Sequence, residues 1–158
     1  MSLETRIADY RDAHDSKAIV FLMREYARLE ECDRDDLAEL PKLLSEIDRG
    51  FSVLAYQGAN PVGLINCFYG FSTFELRMIV NIHDVIVTES HRGRGVAGAM
   101  LALVESESRS RGACRLTLEV LGDNIFAKRA YEKFGFGRDP SHPTVETYFM
   151  RKQLVSSD

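Results

Sequence analysis

Two hydrophobic periods alternate along the chain and predict a mixture of strands and helices. Alternation at every second residue is typical of short strands, whereas apolar residues three and four positions apart are typical of helices. The first half predicts a helix that Asp15 caps and a second helix over residues 36–48 that stops near Gly50. The same reading predicts strands at residues 5–10, 51–57 and 62–71.

The second half alternates more regularly between strands and helices. A β-branched run at 78–87 predicts a central strand, followed by a glycine-rich turn and a helix through about Arg111. Further elements are predicted at 115–121 (strand), 124–134 (helix ending before Gly135) and 145–150 (strand). No repeat or linker divides the chain, so we expect a single domain over residues 1–158. The order predicts an α/β fold with a mixed twisted central sheet of about six to seven strands flanked by helices.

Composition excludes several classes of protein. The 158 residues are 45% hydrophobic and 28% charged, a balance that builds a core and excludes a disordered chain. No apolar run approaches the roughly 20 residues that cross a bilayer, and no signal peptide is readable. The formal charge of -4 disfavours binding to nucleic acid by bulk attraction. We therefore expect a soluble, cytoplasmic protein with neither a membrane nor a nucleic-acid partner.

The three cysteines of the chain suggest neither a metal site nor a disulfide framework. They are odd in number and lie far apart, at positions 32, 67 and 114. Small reduced thiols in or near a core are the simpler interpretation, so we expect no metal.

The glycine-rich turn after the central strand carries the most specific signal. It joins an apolar strand to a helix start, where backbone N–H groups lack partners and the helix dipole adds positive character. Glycines 93 and 95 let an anion approach the backbone, and two arginines add cationic donors, which together suit a pyrophosphate. The candidate anion-binding residues are Arg92, Gly93, Arg94, Gly95, Val96, Ala97 and Gly98.

Three other interpretations of this turn remain open at this point. It can be a plain strand-to-helix turn with surface arginines, an arginine-glycine tether for nucleic acid, or a nucleotide-binding loop. The last is disfavoured because the pattern is not Gly-x-Gly-x-x-Gly and no Gly-Lys-Ser/Thr follows.

A second motif lies on the helix predicted at 124–134. Asn124, Ala127 and Tyr131 are three and four residues apart, so one helical face presents all three. The small Ala127 lets a flexible chain lie against the helix, Asn124 offers an amide, and Tyr131 offers a phenol that can donate a proton. Taken alone, a tyrosine on an amphipathic helix is more often a packing residue.

Together the two motifs resemble the GCN5-related N-acetyltransferase (GNAT) superfamily. Arg92-x-x-Gly95-x-Ala97 is similar to its Arg/Gln-x-x-Gly-x-Gly/Ala signature, and Asn124-x-x-Ala127-x-x-x-Tyr131 is similar to its second cofactor motif. The resemblance implies acetyl-coenzyme A (acetyl-CoA) as cosubstrate, held by the turn and by the strand Val85, Ile86 and Val87. It departs at Glu89, where many members carry proline, and at Ala130, where an aromatic is frequent.

The resemblance further implies direct acetyl transfer to an amine, without a covalent enzyme intermediate. Tyr131 takes the family's place of general acid. His83 and Asp84 are the candidates for accepting or relaying the amine proton, although a strand histidine bonded to its neighbours is the alternative. Because neighbours in a strand point to opposite faces, both can face one pocket only if the strand contains a bulge.

The acceptor is less defined by the sequence. Residues 25–36 carry six carboxylates against two arginines, which on a pocket wall would favour a cationic amine and on a solvated loop would mean nothing. Short stretches resemble the diamine, polyamine and thialysine acetyltransferase branch, so we expect a small amine and name Tyr26, Glu30 and Glu31 as candidate substrate residues. The alternatives are a protein N-terminal or lysine acetyltransferase and a non-catalytic acyl-CoA sensor. A homodimer is expected from the family alone, since no residue specifies an interface.

Overall fold

Five strands form one mixed sheet in the part of the chain that the computed structural model describes, residues 2–29 and 35–137. The strands are β1 (Leu3–Ile7), β2 (Gly50–Gln57), β3 (Asn60–Ser72), β4 (Arg77–Val87) and β5 (Arg115–Leu118). They lie in the order in which they occur along the chain; β1 to β4 are antiparallel neighbours and β5 runs parallel to β4. This number is lower than the six to seven predicted, and the strand predicted at 145–150 lies outside the described residues.

Four α-helices accompany the sheet in these residues. They are α1 (Ala13–Leu29), α2 (Leu40–Ile47), α3 (Val96–Ser110) and α4 (Ile125–Lys133). Short 3-10 turns at Asp35–Glu39 and Glu89–His91 precede α2 and α3.

The sheet is buried on both faces, which explains why β2 and β3 have nearly continuous apolar sequences. Alternate strand residues contribute to two cores, each of which packs against a different helix. The α1-side cluster comprises Ala18, Ile19, Leu22, Leu54, Tyr56, Leu64 and Ile86. The α3-side cluster comprises Phe51, Val53, Ala55, Val62, Ile65, Cys67, Val80, Ile82, Val96, Met100, Leu101 and Val104. Each large apolar side chain buried in this way contributes about 1.5–3 kcal/mol of hydrophobic free energy.

The predicted cap of α1 is wrong by three residues. Asp12, not Asp15, caps the helix: its Oδ1 accepts the N–H groups of His14 and Asp15, both at 2.9 Å. Asp15 lies inside the first turn with a carboxylate that is 3% exposed and accepts bonds from Arg6, Tyr56 and the Asp9 N–H. The sequence around Asp15 resembles a helix cap, but Asp12 occupies the capping position. Asp15 instead connects α1 to β1 and β2 through its bonds to Arg6 and Tyr56.

The second helix is shorter than the prediction of residues 36–48. Its first part is a 3-10 turn, and α2 begins only at Leu40, where Pro41 occupies the first turn that its missing N–H suits. Asp48 ends the helix with a left-handed backbone (φ 44°). Gly50 does not stop the helix but opens β2, where an added Cβ would overlap the carbonyl oxygen of Cys67.

None of the helices in the described ranges combines the length and the apolar character that crossing a membrane requires.

Candidate active site

The two parallel strands separate at their carboxyl ends. β4 pairs with β3 as far as Val87, but its pairing with β5 runs only from Ile79–Arg115 to Ile82–Leu118. Residues 83–87 of β4 therefore have no strand on their second edge among the described residues. We call the space beside them the β4–β5 gap. Ligands of open α/β sheets commonly bind beyond the carboxyl ends of such strands.

The backbone of β4 presents polar groups to this gap. Thr88 donates its N–H to the Val62 carbonyl of β3 at 3.0 Å. Since successive residues of a strand direct their N–H and C=O groups to opposite edges, Val87 and Val85 direct theirs into the gap. Ile86 directs its backbone groups toward β3 and buries its side chain in the α1-side cluster. Of the three residues predicted to contact the cosubstrate arm, Val85 thus directs its N–H and C=O, and Val87 its N–H, to an edge that has no strand partner among the described residues, while the Val87 carbonyl accepts a bond from Arg92 Nε.

The glycine-rich turn closes one end of the gap. Gly93 (φ 72°) and Gly95 (φ 82°) adopt the left-handed backbone that disfavours other residues, and Gly95 is the N-cap of α3. An added Cβ at either position would meet no described atom within 4 Å, so both glycines border open space. Residues 92–95 and Gly98 are exposed, Ala97 is half-buried, and Val96 packs into the α3-side cluster. The first N–H groups of α3 therefore face solvent beside the end of β4.

Polar contacts hold the approach to this turn in place. His91 bonds Thr88 Oγ1 through Nδ1 (2.8 Å) and Gln57 Oε1 through Nε2 (2.9 Å), which ties the 3-10 turn to β2. Arg92 donates from Nε to the Val87 carbonyl at 3.1 Å. Arg94 is exposed. The turn is therefore anchored on the sheet side and open on the solvent side.

Helix α4 brings the second motif to the same end of the sheet. Asn124 is its N-cap, since Oδ1 accepts the Ala127 N–H at 3.1 Å. Tyr131 lies two turns further on, half-buried, with its ring edge-on to Phe136 at 5.9 Å between centroids. Burial raises the pKa of Tyr131, and the nearby Tyr26 of α1 raises it further. The phenol consequently keeps its proton at neutral pH.

Strand β4 contains a bulge at His83. In the pairing with β3, Asn66 lies opposite Asp84 and Cys67 opposite Ile82, so His83 is the extra residue. Ile82 belongs to the α3-side cluster, whereas Asp84 accepts a bond from Asn66 on the α1 side. The exposed His83 contacts the ring of Phe68 edge-on at 5.5 Å.

The bulge brings His83 and Asp84 to one face. Phe68 is two residues beyond Asn66 on β3 and shares its face, so both partners of the pair lie on the α1 side. Counted from Ile82 on the α3 side, regular alternation would place His83 on the α1 side and Asp84 on the α3 side. The strand therefore contains the bulge that His83 and Asp84 need in order to face the same side.

The α1 face of the gap carries the remaining candidate substrate residue. Met23 Sδ lies 3.6 Å from Asn66 Nδ2, and Tyr26 follows one turn later on α1. Tyr26 is half-buried, packs against the α1-side cluster and is close enough to Tyr131 to affect its ionisation. The other two candidates, Glu30 and Glu31, lie outside the described residues.

A cavity of about 720 Å³ lies between α1 and α2. Its described lining carries the cations Lys17, Arg24, Arg28 and Lys42 against the single carboxylate Glu25. Three of the six carboxylates that suggested an acidic acceptor pocket, Glu30, Glu31 and Asp33, lie outside the described residues, so that pocket stays a prediction.

Sequence reasoning missed the polar residues behind Asp84. Asn66 and Ser52 are 3% and 1% exposed and stand in otherwise apolar stretches of β3 and β2. A polar residue between apolar neighbours in a strand buried on both faces is a usable signal, because it needs a partner there. No grouping of metal-binding side chains occurs within residues 2–29 and 35–137.

The geometry agrees with a comparison against families of known proteins. The model of the acetyltransferase (GNAT) family matches residues 16–136, which include the gap, the turn and Tyr131. The chain belongs to this family, as the two motifs predicted.

Relatives of known sequence support the same class. An uncharacterized N-acetyltransferase of Methanocaldococcus jannaschii is 30% identical over 95 residues, which cover 60% of this chain and 42% of that protein. A streptothricin acetyltransferase of Streptomyces lavendulae is 37% identical over 57 residues, or 36% of this chain and 30% of that protein. The chain thus spans less than half the length of these curated relatives.

Solved structures share the fold at low sequence identity. A ribosomal-protein-alanine N-acetyltransferase from Brucella melitensis biovar Abortus 2308 superposes with a TM-score of 0.78 at 17% identity, covering 96% of this chain and all of that one. An aminoglycoside acetyltransferase from an uncultured soil metagenomic sample gives 0.77 at 13% identity, covering 95% and 97%. The GNAT fold predicted from the sequence is confirmed.

Proposed function

We propose that this protein is an acetyl-CoA-dependent N-acetyltransferase that transfers the acetyl group directly to the primary amine of a small molecule. The observation that carries the proposal is the β4–β5 gap, which has an exposed glycine turn at one end and Asp84 and His83 on β4 beside it. Tyr131 packs against the same cluster as Val85 and Val87 of this strand. Members of the family use acetyl-CoA as cosubstrate.

The residues present fit the cosubstrate. Both glycines of the turn border open space, and the first N–H groups of α3 face that space. Such a cradle accepts a pyrophosphate, with Arg92 and Arg94 beside it. The backbone groups of Val85 and the N–H of Val87 would bond the amide-containing arm, as a strand does, and Ala127 leaves room against α4. The bound cosubstrate would supply an activated acetyl thioester.

The amine must lose a proton before or during attack. An unperturbed alkylamine titrates near pH ~10.4, so most of it enters the site as ammonium. Asp84, placed on the α1 face by the bulge, would hold the cation and orient its nitrogen toward the gap. His83, exposed beside it, is the candidate for taking the proton to solvent.

The leaving sulfur needs a proton in return. As the nitrogen–carbon bond forms and the carbon–sulfur bond breaks, the electron pair passes to sulfur. Tyr131 would donate its phenolic proton there and regain one from solvent. Its raised pKa keeps that proton available at neutral pH. The acylated nitrogen releases its second proton to solvent. The transfers together leave the protein unchanged and give an N-acetylated product, free CoA and one net proton.

The charge of Asp84 favours a small amine as acceptor. Asp84 is a single carboxylate on the α1 side of the gap, and it matches one ammonium. The resemblance to the diamine, polyamine and thialysine branch and the name of the streptothricin relative agree with a compact amine.

The proposal is tested by an amine screen that monitors release of free thiol from acetyl-CoA. The panel contains diamines, polyamines, free amino acids, aminoglycosides, streptothricin and a peptide with a free N-terminal alanine. We expect turnover with at least one non-peptide amine. Turnover with the peptide alone would overturn the substrate class, and binding of acetyl-CoA with no transfer to any amine would favour a non-catalytic sensor.

A conservative pair of variants tests the acid. Tyr131→Phe should lower kcat by about 10²–10⁴-fold, the usual contribution of a general acid, and leave the Kd of CoA nearly unchanged. Tyr69→Phe is the matched control, because Tyr69 lies on β3 and packs against Phe51 of β2 and Arg111 at the end of α3. An unchanged kcat in Tyr131→Phe would remove Tyr131 from this role.

A further inference from the structure

A chain of buried hydrogen bonds runs through the sheet and ends on Asp84. Tyr10 OH lies 2.9 Å from Ser52 Oγ, which lies 2.7 Å from Asn66 Oδ1. Asn66 Nδ2 in turn lies 2.9 Å from Asp84 Oδ2. The four residues come from the β1–α1 connection, β2, β3 and β4, so four distant parts of the chain meet in one line.

The chemistry of these groups sets the direction of every bond. Asp84, when ionised, only accepts, so the amide of Asn66 must turn its nitrogen toward it and its oxygen toward Ser52. Ser52 then uses its single hydrogen on Asn66, which leaves Tyr10 to donate to Ser52. Burial raises the pKa of Tyr10 and keeps that hydrogen in place. All hydrogens point toward the carboxylate.

Burial and a second contact also fix the orientation of the Asn66 amide. Ser52 and Asn66 are almost fully buried, and the second Nδ2 hydrogen of Asn66 faces Met23 Sδ at 3.6 Å. A rotated Asn66 amide would place its oxygen against the Asp84 carboxylate and leave buried groups without partners. Asn66 is therefore fixed in one orientation, and it occupies one oxygen of Asp84 while the other remains for the gap.

We propose that Asn66 is a positioning residue that fixes the Asp84 carboxylate toward the incoming amine, and that Ser52 and Tyr10 hold Asn66 in that orientation. This inference rests on the proposed function, since it assigns Asp84 a partner on the substrate. Asn66 touches no substrate itself and acts through Asp84. The residues that bind the cosubstrate lie outside the network.

Steady-state kinetics on the amine found in the screen test this role. Asn66→Leu should reduce kcat/KM for the amine by up to about 100-fold, as expected when a reacting group is misplaced by about 1 Å, with KM for acetyl-CoA unchanged. Ser52→Ala should give a smaller loss and Tyr10→Phe the smallest, because each lies one bond further from Asp84. In the Asp84→Asn background, Asn66→Leu should cause no further loss, since residues that act through one another are not additive.

A pH profile provides a readout that a merely structural role would not move. Asn66→Asp puts two carboxyl groups side by side, and such a pair retains a shared proton to higher pH. The acid limb of kcat/KM for the amine should therefore move to higher pH. Asn81→Leu is the matched control. This variant also loses one side-chain hydrogen bond, the one from Asn81 Nδ2 to Thr117 Oγ1 at 3.1 Å, but Asn81 does not bond Asp84. Its acid limb should stay in place.

The outcomes separate this inference from the proposed function. If the wild-type protein acetylates no amine, the proposed function fails. If it is active but Asn66→Asp keeps the wild-type acid limb, or Asn66→Leu and Asp84→Asn prove additive, the positioning role is overturned. Thermal melts identify a variant that fails to fold; Ser52→Ala and Asn66→Asp then carry the test, and wild-type kinetics in both would equally overturn it.

Discussion

Replacing Gly95 by alanine tests whether the turn before α3 holds an anion. Gly95 is the N-cap of α3 at φ 82°, and an added Cβ would meet no described atom within 4 Å. The stability effect therefore comes from the backbone alone. A left-handed conformation disfavours alanine by about 1–2 kcal/mol.

The chain offers a control with the same backbone change at the other end of the helix. Gly112 has φ 78° and likewise meets no described atom within 4 Å of an added Cβ, but it follows the end of α3. Gly112→Ala should lower the free energy of unfolding by the same about 1–2 kcal/mol. For a protein of this size each 1 kcal/mol corresponds to about 2–4 °C in Tm, so thermal melts should show similar shifts for both variants.

The two variants should differ in their affinity for CoA. In Gly95→Ala the strain at φ 82° favours other conformations of the turn, in which the N–H groups that begin α3 are reoriented. Losing one hydrogen bond to a charged group costs about 1.5–3 kcal/mol, or about 10–150-fold in Kd. Gly112→Ala should bind CoA like the wild-type protein. Isothermal titration calorimetry with CoA measures both, and equal Kd values for the two variants would refute the assignment of the turn.

Three further predictions concern the body of the protein. Asp15→Asn should lower the free energy of unfolding by about 1–3 kcal/mol, measured by chemical denaturation, because the buried carboxylate loses its charged bond to Arg6. Burial alone would raise the pKa of Asp15, but its hydrogen bonds outweigh it and lower the pKa. The ionised carboxylate therefore stabilises the fold fully above the pKa of about 3.9 that it has in the unfolded chain, and this stabilisation is lost as the pH falls through the lower pKa of the folded state. Below pH about 4 the Tm of Asp15→Asn should consequently fall less steeply with pH than the Tm of the wild-type protein. Parallel curves of Tm against pH would contradict this. Cys67, whose pKa burial raises to about 12, should resist iodoacetamide in the folded protein at pH about 8 and react in denaturant; native labelling seen by mass spectrometry would contradict its burial. Gly50→Ala should destabilise by about 3 kcal/mol in the same denaturation assay, since the new methyl group overlaps a backbone carbonyl; an unchanged transition midpoint would contradict that close approach.

Local sequence was a reliable guide where the structure depends on local contacts. The turn at residues 92–97 needs only a helix start and left-handed glycines, and α4 needs only its cap and its apolar face. These features are encoded within a few residues, so the motifs predicted the family. The cap of α1 shows the limit: Asp12 and Asp15 look equivalent in the sequence, and the helix start alone decides between them.

The acidic residues show a second limit. The cluster at residues 25–36 suggests a negatively charged acceptor pocket only if it lines one. The described lining of the α1–α2 cavity carries one of its carboxylates, Glu25, beside four cations, and Glu30, Glu31 and Asp33 lie outside the described residues. The sign of a pocket depends on which helix faces meet, and that depends on packing between distant segments.

The amino-acid sequence by itself determined the family, the mixed α/β order of elements and the two motifs, because each follows from contacts between near neighbours. Only the tertiary structure decided that His83 is the extra residue of a bulge, which turns it and Asp84 to the same face. Only the tertiary structure aligned Tyr10, Ser52, Asn66 and Asp84. Residues bonded to each other in this line are as many as 42 positions apart in the sequence. The physical reason is strand register: a shift of one residue exchanges the two faces of a strand, and the whole sheet fixes that register.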